Sequence, residues 1–156
     1  MIGIVTISDT RSLDTDRSGP AIEGALAAVG YTEFVRRIVI DESETIQAAL
    51  IDLSPECEAI FTTGGTGFSP RDVTPEATAA VIERRADSLS ELLRLKGLEH
   101  TPMSYLSRGI AGIRGNTLIV NLPGSPAGAR EGIETLAPLL PHILSQLRGD
   151  GCGHEC

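Results

Sequence analysis

The segment Ala59–Pro75 constrains this chain most: an apolar run, Ala59-Ile60-Phe61-Thr62-Thr63, enters Gly64-Gly65-Thr66-Gly67 and then Phe68-Ser69-Pro70-Arg71-Asp72-Val73-Thr74-Pro75. It predicts a buried strand, a tight turn and a helix. Three glycines let the backbone take positive φ and gather several N–H groups around one anion, where a Cβ would intrude. Thr74 is placed to cap a helix whose first residue is Pro75, and a helix N-terminus also favours anions. A P-loop is excluded, because Phe68 follows Gly67 where lysine is required and the only lysine is Lys96. No G-x-G-x-x-G occurs either.

Other segments repeat the strand-then-helix pattern. Ile2–Ile7 reads as a buried strand ending in Ser8-Asp9-Thr10, and Ser18-Gly19-Pro20 opens a helix that Gly30 stops. Phe34–Ile40 is a second strand, followed by Asp41-Glu42 and a helix that Ser43 is placed to cap. After Pro75 a helix is expected to about Arg85, and Ser88-x-x-Glu91 has the form of a capping box for another that Gly97 ends. Thr117–Leu122 is the most hydrophobic strand and runs into Pro123-Gly124-Ser125-Pro126, with Pro138 and Pro141 breaking the helical region beyond. These elements predict one α/β domain, a three-layer sandwich around a mainly parallel sheet.

At 156 residues the chain is long enough to bury roughly 70% of its unfolded surface without staples. A net charge of −8 and 3% aromatic residues argue against a nucleic-acid surface. An anion therefore needs a local positive pocket, for which Arg11, Arg71, Arg108 and Arg114 are candidates. No apolar run approaches the ~18 residues of a membrane span. Three cysteines without pairing and no basic-then-apolar leader predict a reducing cytoplasm. The tail Gly151-Cys152-Gly153-His154-Glu155-Cys156 carries metal-ligand types but lies at a Gly-rich terminus, where disorder is expected.

Ligands of open α/β sheets bind beyond the carboxyl ends of the strands. Four predicted strands end there in polar signals: Ser8-Asp9, Asp41-Glu42, Thr63–Gly67 and Asn121–Ser125. Taken singly, Asp9 and Asp41 read as turn or cap residues, and Asp72 as a surface partner of Arg71. Gathered with the glycine turn, they suggest Mg²⁺ relieving the repulsion between carboxylates and a polyphosphate.

The chain resembles the MogA/MoaB-type molybdopterin adenylyltransferases. The matching segments are Ile7–Thr10, Asp16–Pro20, Asp41-Glu42, Thr63–Thr78 (TGGTGFSPRDVTPEAT), Leu106–Gly115 (LSRGIAGIRG) and Leu118–Pro126 (LIVNLPGSP). The resemblance implies a molybdopterin-binding domain over residues 1–148, with 149–156 a flexible tail. It implies transfer of AMP from ATP to the terminal phosphate of molybdopterin, with release of pyrophosphate. By motif, Asp41 and Asp72 are the essential carboxylates and Mg²⁺ ligands. Ser8, Asp9, Gly64, Gly65, Thr66 and Gly67 line the nucleotide side, the glycines and Thr66 holding phosphate oxygens. Pro123, Gly124, Ser125 and Pro126 shape the opposite wall, and Ser107 and Arg108 contact the pterin's phosphate end. His100 reads as a loop residue. Ser125 stands where many adenylyltransferases carry Asn or Gln and matches MoaB-type members. The resemblance also implies a homotrimer that hands its product to a molybdotransferase. Two alternatives stay open: a non-catalytic molybdopterin-binding scaffold, and a nucleotide hydrolase of the competence-damage type.

Overall fold

All six residues of β1 (Ile2–Ile7) are buried, because helices cover both faces of the sheet to which it belongs. The structure, a computed structural model, describes residues 1–150, so the Cys-His-Cys tail lies outside the described residues. The chain continues through α1 (Ser18–Ala27), β2 (Phe34–Val39), α2 (Ser43–Leu53), β3 (Ala59–Thr63), α3 (Thr74–Val81), β4 (Arg84–Arg85) and α4 (Asp87–Gly97). A 3₁₀ turn (Pro102–Leu106) follows, then β5 (Ala111–Arg114), β6 (Thr117–Leu122), α5 (Pro126–Leu136) and α6 (Leu140–Arg148).

The six strands form one sheet in the order β2-β1-β3-β6-β5-β4. Neighbours among β2, β1, β3 and β6 are parallel, while β5 runs antiparallel to both β6 and β4. Alternation along each strand divides the apolar residues between two cores. Ile2, Ile4, Phe61, Leu118, Val120 and Leu122 pack with α1, α5 and α6, whereas Val5, Ile7, Ile60 and Ile119 pack with α2 and α3. The result is the expected three-layer α/β sandwich. Its parallel strands all end on one edge, where the four polar signals lie.

Three local expectations fail for identifiable reasons. The helix after Pro75 stops at Val81 rather than near Arg85, since Ile82 turns extended and Arg84–Arg85 pair with Gly112 and Ile113. The Arg114 guanidinium donates to the freed Val81 carbonyl at 2.9 Å, so this arginine braces a helix end and not an anion pocket. Neither Thr74, Ser43 nor the Ser88–Glu91 pair forms the expected cap: the helices begin at Thr74, Ser43 and Asp87, and none has a side-chain cap bond. Thr74 is used instead to hold the glycine turn.

Candidate functional site

The four strand ends meet. Gly64 (φ +99°) and Gly65 (φ +68°) take left-handed backbone, and a Cβ on Gly64 would lie 2.5 Å from the Ile7 carbonyl oxygen of β1. From β6, a Cβ on Gly124 would lie 3.3 Å from the Gly64 Cα, and the Thr63 hydroxyl donates to the Pro123 carbonyl at 2.6 Å. Ser18 at the start of α1 donates to the Gly124 carbonyl at 2.8 Å. Its helix is in turn anchored by buried Asp16, which accepts from the Ser18 and Gly19 amides at 3.1 Å and from the Thr6 hydroxyl at 2.9 Å.

The hydrogen bonds of the turn divide by type. All four carbonyls from Gly64 to Gly67 accept from donors behind the turn. Thr74 Oγ1 donates to Gly64 O at 2.9 Å, the Thr74 amide to Gly65 O at 3.1 Å, the Arg108 amide to Thr66 O at 2.9 Å, and Arg108 Nε to Gly67 O at 2.7 Å. By contrast, the amides of Gly65, Thr66 and Gly67 donate to no acceptor among the described residues. A turn with its carbonyls tied back and its N–H groups unclaimed presents positive partial charge to whatever lies in front.

In front lies a cavity of about 470 Å³. One wall is Gly65, Thr66, Gly67, Asp72 and the Pro123–Ser125 turn; the other is made by α4, the 3₁₀ turn and one face of α5. Ser125 caps α5 by accepting from the Gly128 amide at 3.1 Å. Ser107 lines the cavity, whereas Ser8, Asp9, Asp41, Gly64, Arg108 and Pro126 stand outside its lining. The wall expected from Pro123–Pro126 is not the opposite one: Gly124 lies against Gly64, so Pro123–Ser125 stand beside the glycine turn, and Lys96, Met103, Leu106 and Glu131 form the wall across from it, joined by the loop residue His100 with Nδ1 3.6 Å from Glu131 Oε1.

Beside the turn sits a cluster of charges. Asp9 accepts from the Asp41 amide at 2.9 Å and from Arg71 Nε at 3.1 Å, and these donors hold its carboxyl below the ordinary range. Asp41 is the opposite case. Burial, then the nearby charges of Asp9 and Asp72, push its carboxyl up, with Arg71 opposing them. Asp41 Oδ1 is buried without a hydrogen-bond partner, and lies 3.1 Å from where a Gly65 Cβ would be. Asp72 accepts from the Ser69 amide at 3.0 Å and faces Gly67, whose Cβ would stand 2.8 Å from Asp72 Oδ2. Thus Asp9, Asp41, Asp72 and Arg71 are brought together. Ser8 holds its own loop, accepting from the Thr10 and Arg11 amides at 3.2 Å. Arg11 is exposed and donates to Thr15 O.

Residues 3–142 match the family model described as a probable molybdopterin binding domain. The chain belongs to that family. Among its curated relatives, a molybdopterin adenylyltransferase from Helicobacter pylori is 39% identical over 155 residues, covering 96% of this chain and 88% of the relative. The Drosophila melanogaster molybdenum cofactor synthesis protein cinnamon is 43% identical over 154 residues, and this chain spans 26% of its length. Among solved structures, the molybdopterin biosynthesis enzyme MoaB from Thermus thermophilus superposes with a TM-score of 0.85 at 45% identity, over 95% of this chain and 96% of that one. The matched residues include the glycine turn and the strand ends around it.

Proposed function

We propose that this chain is a molybdopterin adenylyltransferase, joining AMP from ATP to the terminal phosphate of molybdopterin and releasing pyrophosphate. The observation that carries the reading is the turn whose four carbonyls are tied back while the Gly65, Thr66 and Gly67 amides remain unclaimed at the cavity wall. Such a surface suits the oxygens of a triphosphate. The cavity in front, walled by apolar Leu93, Met103 and Leu106, gives a ring-bearing second substrate room beside it. The similarity to relatives named molybdopterin adenylyltransferase supports molybdopterin as that substrate.

The attacking group is a phosphate monoester, largely ionised near neutrality because its second pKa is about 6, so no side-chain nucleophile is needed. What remains is to bring two anions together with an oxygen in line at the α-phosphorus. The turn amides hold and orient the triphosphate, the Pro123–Ser125 turn closes the nucleotide side, and Ser107 reaches the incoming phosphate.

Mg²⁺ fits the carboxylates. Asp41 Oδ1 is an unpartnered buried oxygen, and Asp9 and Asp72 add negative charge next to it. Mg²⁺ is commonly held by one or two carboxylates, with water and substrate phosphate completing its shell. Asp41 and Asp72 would hold it, and its charge would offset that building on the transferring phosphate. On the same reading the protein acts as a cytoplasmic homotrimer and passes adenylylated molybdopterin to a molybdotransferase.

The test is pyrophosphate release by the purified protein with ATP and Mg²⁺. Release only when molybdopterin is present supports the reading. Release without it indicates a hydrolase, and binding of molybdopterin with no release under any condition indicates a scaffold.

A further inference from the structure

Arg108 leaves the 3₁₀ turn and passes behind the glycine turn rather than into the cavity. Its amide donates to Thr66 O at 2.9 Å, Nε to Gly67 O at 2.7 Å and Nη2 to Asp72 O at 2.8 Å, while Nη1 pairs with the Glu76 carboxylate on α3. One residue thus grips both ends of the segment 66–72 and ties it to the first turn of a helix. Its neighbour Ser107 lines the cavity on the other side. We infer that Arg108 is a positioning residue, which holds the carbonyls of Thr66, Gly67 and Asp72 to the rear so that the turn's amides and the Asp72 carboxylate face a bound phosphate. This rests on the reading of the turn as the triphosphate site.

A Gly-rich turn has many conformations to lose, and the anion must supply that ordering free energy unless the protein already has. Thr74 pins the first half of the turn, through Gly64 and Gly65. Only Arg108 pins the second half, among the described residues. A guanidinium suits the task because its donors form a rigid planar fork that serves two carbonyls and a carboxylate at once. A lysine ammonium keeps the charge but is a single point on a flexible stem. If Arg108 served as a charge touching phosphate, lysine would replace it tolerably. If it serves as a fork behind the turn, lysine fails.

The experiment measures ATP affinity by titration calorimetry in Mg²⁺, using the full chain and the variants Arg108→Lys and Arg108→Ala, with urea unfolding to confirm that each is folded. The expected result is binding weakened on the order of 10²-fold in both variants, since misplaced donors forfeit the alignment of several contacts at once. Millimolar guanidinium, but not methylammonium at equal ionic strength, restores affinity to Arg108→Ala. Arg108→Lys binding ATP within about threefold of the wild type, at an unchanged urea midpoint, overturns the inference. Wild-type protein that binds ATP yet releases no pyrophosphate with molybdopterin overturns the transfer reading alone, and the lysine variant's affinity still decides the role of Arg108.

Discussion

Gly65→Ala tests the geometry of the turn at its tightest point. The backbone there has φ +68°, and an added Cβ would overlap Thr74 Oγ1 and stand 3.1 Å from Asp41 Oδ1. A non-glycine residue in left-handed backbone costs roughly 1–2 kcal/mol. Displacing the Thr74 hydroxyl breaks its 2.9 Å bond to Gly64 O, a loss of about 1 kcal/mol. The expected destabilisation is therefore about 2–3 kcal/mol, which in a domain of this size lowers Tm by about 5–10 °C. Thermal unfolding followed by circular dichroism reads it. Thr74→Ala separates the two causes: alone it costs about 1 kcal/mol, and combined with Gly65→Ala it costs less than the sum by about 0.5–1 kcal/mol, because the clash has lost one partner. ATP affinity falls in every variant that moves the turn. A Tm within about 1 °C of the wild type, with ATP binding unchanged, would refute the reasoning.

Asp72→Asn should leave the urea midpoint nearly unchanged, since an amide oxygen can still accept from Ser69, but lower pyrophosphate release on the order of 10²-fold or more. Asp41 binds its proton more tightly in the folded protein than in the unfolded chain, so its contribution to stability falls as pH rises from the ordinary carboxylate range through its raised value. Asp41→Asn should consequently melt higher than wild type at pH 7, by a margin that vanishes at acidic pH, while losing activity; equal margins at both pH values would contradict this. Asp9 behaves oppositely: its stabilising contacts persist at neutral pH and are lost as pH falls through its lowered value. Asp16→Ala removes the acceptor for two α1 amides and leaves the Thr6 hydroxyl unpaired, so urea unfolding should show a loss of about 2–3 kcal/mol.

The central layer was legible because β1, β3 and β6 are short, mostly apolar runs that stop at Ser, Gly or Pro, and strands buried on both faces leave that signature. The hairpin of β5 was harder to see. Ala111–Arg114 is short and contains Gly112, whose Cβ would lie 2.5 Å from Ile82 Cδ1, so this strand exists through close packing and not through hydrophobic alternation. The available signal was Gly115-Asn116, a two-residue hairpin turn with Gly115 at φ +56°. The glycine turn and the aspartates beside it could be found because local chemistry marks them. The apolar wall could not, since Met103, Leu106 and His100 fall in a segment without periodicity and reach the cavity only when α4 packs on α5. Arg108 looked like a ligand because of its charge. Its side-chain contacts lie 32 to 41 residues away in sequence, and only the fold shows that its fork is occupied.

The most direct measurement is a crystal structure of the protein with ATP and Mg²⁺ bound. Phosphate oxygens accepting from the amides of Gly65, Thr66 and Gly67, with the ion against Asp41 and Asp72, is the predicted result. A triphosphate bound elsewhere, with those three amides left facing water, would contradict the account.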